Sequence, residues 1–119
     1  MIDLTRYARE KEKPKRASRI IAVDFDGVLC KDEWPGIGEP NERLIKSLIQ
    51  NRKDGDKVIL WTCREKKDLD DAIVFCRERG LEFDAVNENI PEAVAKWEND
   101  PRKIFANLYI DDKSVKPYW

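Results

Sequence analysis

Two aspartates, Asp24 and Asp26, directly follow the apolar run Ile20–Val23 and flank a phenylalanine. An apolar run rich in β-branched residues predicts the central strand of a parallel sheet, buried on both faces. Side chains alternate along a strand, so the two carboxylates leave it on the same side. Two like charges held this close together need a cation or a shared proton. The stretch therefore predicts a carboxylate site at a strand end, where open α/β sheets bind their ligands.

Polar residues also follow three later apolar runs. The runs Lys57–Trp61, Glu82–Val86 and Ala106–Ile110 predict further strands, and helical spacing predicts helices over about 41–53, 66–79 and 91–98. This alternation predicts an α/β fold with a parallel sheet and right-handed crossovers. The carboxyl ends of its strands share one edge, which is expected to carry Asp24 and Asp26, Thr62 and Arg64, Asn87 and Asn89, and Asp111 and Asp112.

The residue types at this edge favour Mg²⁺ and phosphate chemistry. The chain has no histidine, and its three cysteines lack a C-x-x-C spacing, which excludes Cys–His or Ser–His catalysis and argues against zinc. Mg²⁺ prefers one or two carboxylates together with waters and a substrate phosphate. An aspartate can attack a phosphate once a metal and a basic residue screen its charge. Lys103 is the candidate for that basic residue, the alternative being an ordinary surface lysine.

The composition is that of one globular domain without a strong overall charge. The chain has 119 residues, of which 41% are hydrophobic and 39% charged, and its net charge is −1. This length suits a single modest core, and the charge balance gives no field that attracts nucleic acid or a membrane. No stretch is apolar and long enough to span a membrane, and the odd number of cysteines fits a reducing cytoplasm.

The first 19 residues carry a net charge of +4, against −5 for the rest of the chain. Two interpretations remain open: a mobile, solvated leader, which we favour, or an arm that attracts phosphate. We therefore divide the chain into a leader, residues 1–18, and a catalytic domain, residues 19–119.

Two glycines and two prolines within Cys30–Pro40 predict a loop directly after the first carboxylates. Trp34 is the large apolar residue of this loop, and it either anchors the loop on the domain or contacts a substrate. In the last helix, the spacing places Val94 and Trp97 on the inward side. The cysteines are predicted to be small buried or half-buried residues, because free cysteine usually behaves as a small hydrophobe.

Four of these stretches, in this order and spacing, resemble the motifs of the haloacid dehalogenase (HAD) superfamily over about residues 19–115. The motifs are an Asp-x-Asp-Gly-[Thr/Val] corner, a Thr or Ser that ends a hydrophobic strand (here the Thr-x-Arg variant), a lone basic residue, and acidic residues after a last hydrophobic strand. They correspond to Asp24–Val28, Leu60–Arg64, Lys103 and Tyr109–Asp112.

The resemblance implies a three-layer α/β/α, Rossmann-like parallel sheet and a Mg²⁺-dependent phosphatase. Asp24 would be the nucleophile that forms an aspartyl-phosphate, and Asp26 the acid and then the base. Mg²⁺ would be held by the Asp24 carboxylate, the Asp26 backbone carbonyl, and one or both of Asp111 and Asp112.

Thr62, Arg64 and Lys103 would hold the substrate phosphate, with Lys103 also neutralising Asp24. The gaps between motifs leave no room for a cap domain, so the chain is similar to small capless members. An open site suits a bulky substrate such as a protein or nucleic-acid end, unless a second subunit closes it. The alternatives are a polynucleotide-end (3′-) phosphatase and a non-catalytic phosphate- or partner-binding module, because a fold does not fix a function.

Overall fold

The computed structural model describes residues 18–118, in which the four predicted strands and three predicted helices occur in the predicted order. The leader up to residue 17 lies outside the described residues, so the two interpretations of it stay open. The elements are β1 (Ile20–Val23), β2 (Cys30–Glu33), β3 (Gly36–Pro40), α1 (Glu42–Lys53), β4 (Lys57–Leu60), α2 (Lys66–Glu78), β5 (Ala85–Val86), α3 (Pro91–Trp97) and β6 (Leu108–Ile110).

Strands β5, β4, β1 and β6 form one parallel sheet in that spatial order. The chain moves outward from β1 to β4 and β5, and then returns across the sheet to place β6 on the other side of β1. The order of the strands therefore reverses between β1 and β6, which makes that boundary the topological switch point of the sheet.

Helices cover both faces of this sheet, as the predicted three-layer α/β/α arrangement requires. On one face Ile21 and Val58 pack with the buried Ile45 of α1 and Cys76 of α2. On the other face Ala22, Ile59 and Ala85 pack with Ile90 and Ala93 at the start of α3. Strand residues alternate between the two faces, so β1, β4 and β5 each contribute to both cores, whereas β6 contributes Ile110 to the first.

Local signals define α1 and explain how it is attached to the sheet. The side chain of Asn41 caps the helix by accepting a hydrogen bond from the Leu44 N–H, at 3.2 Å. The same side chain donates to the carbonyl of Val28 over 3.0 Å. Asn41 thus satisfies an otherwise unpaired N–H of the first turn and fixes α1 to the chain that leaves β1.

The predicted loop over Cys30–Pro40 is instead an antiparallel hairpin, β2–β3. Glu33 pairs with Gly36 across a two-residue connection, and a Cβ at Gly38 would collide with the backbone carbonyl of Lys31. Gly38 is therefore a site of close strand approach rather than a loop signal. A glycine in a turn and a glycine in a tightly paired strand look the same in sequence.

The inward orientation predicted for Trp97 is wrong. The seven-residue α3 contacts the sheet through its buried Ala93, and Trp97, its last residue, is 58% exposed. Its ring contacts that of Phe105, with 6.3 Å between the ring centroids. Within residues 18–118, no helix has the length and apolarity needed to cross a membrane.

Asp84 holds the start of β5 against β4, and its replacement by asparagine is expected to destabilise the fold in a pH-dependent way. Burial raises the pKa of Asp84, but hydrogen bonds from Arg52 and the Val58 N–H, at 2.8–3.2 Å, hold it below its usual value. At neutral pH, Asp84→Asn is expected to cost about 1–3 kcal/mol of the free energy of unfolding.

A carboxylate with a lowered pKa in the folded state contributes stability above its unfolded pKa of about 4, and this contribution is lost as the pH falls through the folded value. The difference between wild type and Asp84→Asn should therefore shrink in urea unfolding curves recorded from pH 7 to pH 3. Asp70→Asn, which makes the same change at an exposed position of α2, is the control. A gap that stays constant with pH would contradict the ionic contribution.

Candidate functional site

The parallel register brings the carboxyl ends of the four strands to one level. Val23 pairs with Leu60 of β4 and with Ile110 of β6, and Leu60 in turn pairs with Val86 of β5. The ladder continues by one residue, because the Asp24 N–H donates to the Ile110 carbonyl over 3.0 Å. Asp24 thus stands at the switch point between β1 and β6, where open α/β sheets bind their ligands.

Three carboxylates converge at this point. One oxygen each of Asp24, Asp111 and Asp112 can be chosen so that all three lie within 4.8 Å of one another. Asp24 is half-buried and the other two are exposed. Burial, followed by the contact with Asp111 and the charges of Asp111 and Asp112, raises the pKa of Asp24 to about 6, although the Phe25 N–H partly opposes this. The site therefore resists a full set of negative charges unless something compensates them.

These carboxylates suit a hard divalent cation. Oxygen ligands from a few carboxylates, open to solvent on one side, are the donors that Mg²⁺ prefers. Asp111 is held in place by the Ser114 hydroxyl, which donates to it over 2.9 Å and, as the main cause, lowers its pKa below the usual value. Asp24, Asp111 and Asp112 could thus hold the cation, and the exposed side leaves room for water or a further ligand.

Gly27 permits the close approach of Asp112 to the corner after β1. Its φ of +80° lies in the left-handed region, and a Cβ built on it would collide with the Asp112 carboxylate. A residue with a side chain at this position would be strained and would also displace one member of the carboxylate cluster. The glycine of the Asp-x-Asp-Gly pattern is therefore explained both by the turn and by the close packing of Asp112 against Gly27.

The carboxylate of Asp26 is outside this group of three and pairs with Arg64. The Nε and one Nη of Arg64 donate to the two oxygens of Asp26, both over 2.8 Å. The remaining donors reach three backbone carbonyls: that of Asp68 at 3.4 Å and, in the hairpin, those of Pro35 at 3.2 Å and Gly36 at 2.8 Å.

This arrangement weighs against the predicted role of Arg64 in holding a substrate phosphate. All five N–H donors of the guanidinium have partners, and Arg64 is only 2% exposed. Its guanidinium carbon lies 5.0 Å from the ring centroid of Phe25 and 4.9 Å from that of Trp34. Arg64 is thus a buried joint between Asp26, the hairpin and α2, with no free donor for a ligand.

Thr62 lies beside Asp24, and Asn87 positions it. The Asn87 side chain accepts a hydrogen bond from the Thr62 N–H at 2.8 Å, and the Thr62 hydroxyl accepts one from the Arg64 N–H at 3.1 Å. Asn89 has a different role, because its side chain holds the chain before β6 through bonds to Asp100, Pro101 and Phe105.

Lys103 does not line the cavities that contain Asp24. It lines a separate cavity of about 620 Å³, with which they share no lining residue, and its Nζ is 5.9 Å from the ring centroid of Tyr109. Lys113 instead lines both cavities beside Asp24. Lys113 could have been found from its position directly after Asp111 and Asp112. It was missed because the basic residue was sought before β6, where Lys103 lies.

The two cavities beside Asp24 have volumes of about 290 and 410 Å³. Trp34 and Arg64 line the smaller one, so Trp34 both packs on the domain and faces the site. Cys63 lines both cavities and is exposed, contrary to the prediction, because it points outward from the loop after β4. The other two cysteines, Cys30 and Cys76, are buried as predicted.

No protein-family model and no curated protein matches the chain. Among solved structures, it is similar to the "conserved protein coded by locus from Bacteroides thetaiotaomicron", with a TM-score of 0.73 and 40% sequence identity. The match covers 86% of this chain and 84% of that one. At this identity and coverage the likeness extends beyond the fold, and the chain belongs to the same family as this conserved Bacteroides thetaiotaomicron protein.

Proposed function

We propose that the protein is a Mg²⁺-dependent phosphatase of the HAD type, which hydrolyses a phosphomonoester through an aspartyl-phosphate on Asp24. The observation that carries the proposal is the convergence of Asp24, Asp111 and Asp112 within 4.8 Å at the switch point of the sheet. The chain between β1 and β4 forms only the hairpin and α1, in keeping with a capless member of that superfamily.

Asp24, Asp111 and Asp112 would hold Mg²⁺, together with the backbone carbonyl of Asp26, as the resemblance implies. When bound, Mg²⁺ would neutralise the carboxylates and the phosphate oxygens that face them. Lys113 and Thr62, which line the same cavities, are the residues available to orient the phosphate. Lys103 keeps this role only if it moves toward Asp24.

In the first step an oxygen of Asp24 attacks phosphorus, and the bond between phosphorus and the ester oxygen breaks. The leaving alcohol takes a proton, for which Asp26 is the candidate donor. In the second step a water attacks the aspartyl-phosphate, Asp26 accepts its proton, and the bond between phosphorus and Asp24 breaks to release inorganic phosphate. The nucleophile and the enzyme are then restored.

The ion pair with Arg64 bears on both roles of Asp26. Both of its oxygens accept hydrogen bonds from the guanidinium, and each role needs one of these oxygens to face the leaving alcohol or the attacking water. Asp26 must therefore loosen from Arg64 on one side before it can give or take a proton.

The same ion pair favours a second candidate, a non-catalytic phosphate- or partner-binding module on this fold. A binding module needs no acid or base. In such a protein the bidentate pair with the buried Arg64 would give Asp26 a purely structural role. The third candidate, a polynucleotide-end (3′-) phosphatase, depends partly on the basic leader, whose residues up to 17 lie outside those described.

The test is phosphate release from a panel of phosphomonoesters, with Mg²⁺ and with EDTA. The panel contains an aryl phosphate, sugar phosphates, nucleotides, a phosphopeptide, and 3′- and 5′-phosphorylated oligonucleotides. We expect release from at least one class, and we expect EDTA to abolish it. Mg²⁺ binding, seen as a rise in melting temperature, without release from any substrate would contradict the phosphatase and support the binding module.

A further inference from the structure

The hairpin turn and Asp26 share one rigid anchor, the guanidinium of Arg64. This group donates to Asp26 on one side and to the carbonyls of Pro35 and Gly36 on the other. Its burial and its full set of partners leave it little freedom to move. The tip of the hairpin is therefore held at a fixed position relative to the acid.

Trp34 occupies that tip and is held in place although it is exposed. Its ring stacks on the Arg64 guanidinium, its backbone N–H donates to the Asp32 carboxylate over 3.1 Å, and 55% of the residue is open to solvent. It lines the cavity of about 290 Å³ together with Asp24 and Lys113. A large indole held rigidly beside a cavity offers contact area at a low entropy cost, because few of its torsions remain to be ordered on binding.

We propose that Trp34 is a stacking platform for a planar ring on the leaving group, and that the substrate is a nucleoside monophosphate or the phosphorylated end of a nucleotide chain. This inference rests on the proposed phosphatase function. A cavity of this size is near the lower end for ligand sites; it suits a base and its sugar better than a folded phosphoprotein segment. The phosphate would lie toward Asp24 and Lys113, and the base toward Trp34.

AMP and ribose 5-phosphate form a matched pair of probes, because both carry the phosphate on the same ribose carbon and only AMP carries a base. Stacking of a base on an aromatic residue is expected to lower the KM of AMP about tenfold relative to ribose 5-phosphate. Trp34→Ala should raise the KM of AMP by about the same factor and should raise the KM of ribose 5-phosphate much less.

Two further variants separate stacking from folding. Trp34→Phe keeps an aromatic ring and should retain most of the preference for AMP. Trp97→Ala removes another exposed tryptophan, one that lines the separate cavity, and should leave the kinetics of both probes as in wild type. If wild type does not distinguish the probes, or if Trp34→Ala weakens both equally, the platform is refuted.

Failure of the proposed function can be told apart from failure of the platform. If neither probe is hydrolysed, binding of AMP and ribose 5-phosphate with Mg²⁺ is measured directly by calorimetry on the full chain. Tighter binding of AMP that is lost in Trp34→Ala would support the platform in a protein that does not catalyse. Equal binding of the two probes, or a preference that survives in Trp34→Ala, would overturn it.

Discussion

Asp24→Asn is expected to lower turnover by at least about 10³-fold, the scale seen when a catalytic nucleophile is removed, and to leave the fold intact. An amide is nearly the same shape as a carboxylate but is not a nucleophile toward phosphorus. Burial and the neighbouring Asp111 and Asp112 raise the pKa of Asp24 to about 6, so its charge opposes folding at neutral pH. The melting temperature of Asp24→Asn without Mg²⁺ should therefore equal or exceed that of wild type.

The measurement pairs kcat on the best substrate of the panel with melting curves with and without Mg²⁺. We expect Mg²⁺ to raise the melting temperature of wild type more than that of the variant, because a neutral amide is a weaker Mg²⁺ ligand than a carboxylate. Asp70→Asn, an exposed change on α2, should alter neither quantity. Full activity in Asp24→Asn would eliminate the aspartyl-phosphate mechanism, whatever the melting curves show.

The sheet could be predicted from sequence because a strand that is buried on both faces needs apolar residues at consecutive positions. Ile59 packs on the α3 face while Val58 and Leu60 pack on the other, so the interior positions of β4 must all be apolar. Such runs end where the chain leaves the core, and the polar residues that follow are necessarily at the edge. The position of Asp24, Asp111 and Asp112 at one edge is predictable for this reason.

The roles of individual basic residues were not predictable in the same way. The sequence pattern around Thr62 does not show whether the arginine two residues later points to solvent or into the protein. Arg64 points into the protein, toward Pro35 and Gly36. Those partners are nearly 30 residues away in sequence, and they form a target only because β2–β3 is a hairpin. The error about the loop and the unforeseen position of Arg64 therefore have one cause, an unrecognised long-range pairing.

The second large effect is expected at the pair of Arg64 and Asp26. Arg64→Ala removes five hydrogen bonds and leaves the Asp26 carboxylate, whose side chain is 20% exposed, without its partner. Breaking such a pair from one side typically costs about 3–5 kcal/mol of the free energy of unfolding. Arg64→Lys keeps the charge but cannot reproduce the planar fork, so an intermediate loss is expected.

A double-mutant cycle on urea unfolding tests whether Arg64 is the joint. Asp26→Ala alone should cost less than Arg64→Ala, because Arg64 keeps its three carbonyl partners. The double variant should lose less than the sum of the two, with a coupling of about 0.5–3 kcal/mol. Arg77→Ala is the control, since the pair of Arg77 with Glu82 has a 3.1 Å contact but is exposed on both sides, and it should cost at most about 1 kcal/mol.

The cycle also bears on function, because it decides which of two descriptions of Arg64 holds. A large cost with strong coupling means that Arg64 has a structural role, so that other groups must bind the substrate phosphate, such as Lys113 and Thr62, which line the cavities beside Asp24. A cost no greater than that of Arg77→Ala would mean that the pair opens easily. Asp26 would then be free to donate a proton, and Arg64 would regain the phosphate-binding role that the Thr-x-Arg pattern suggests.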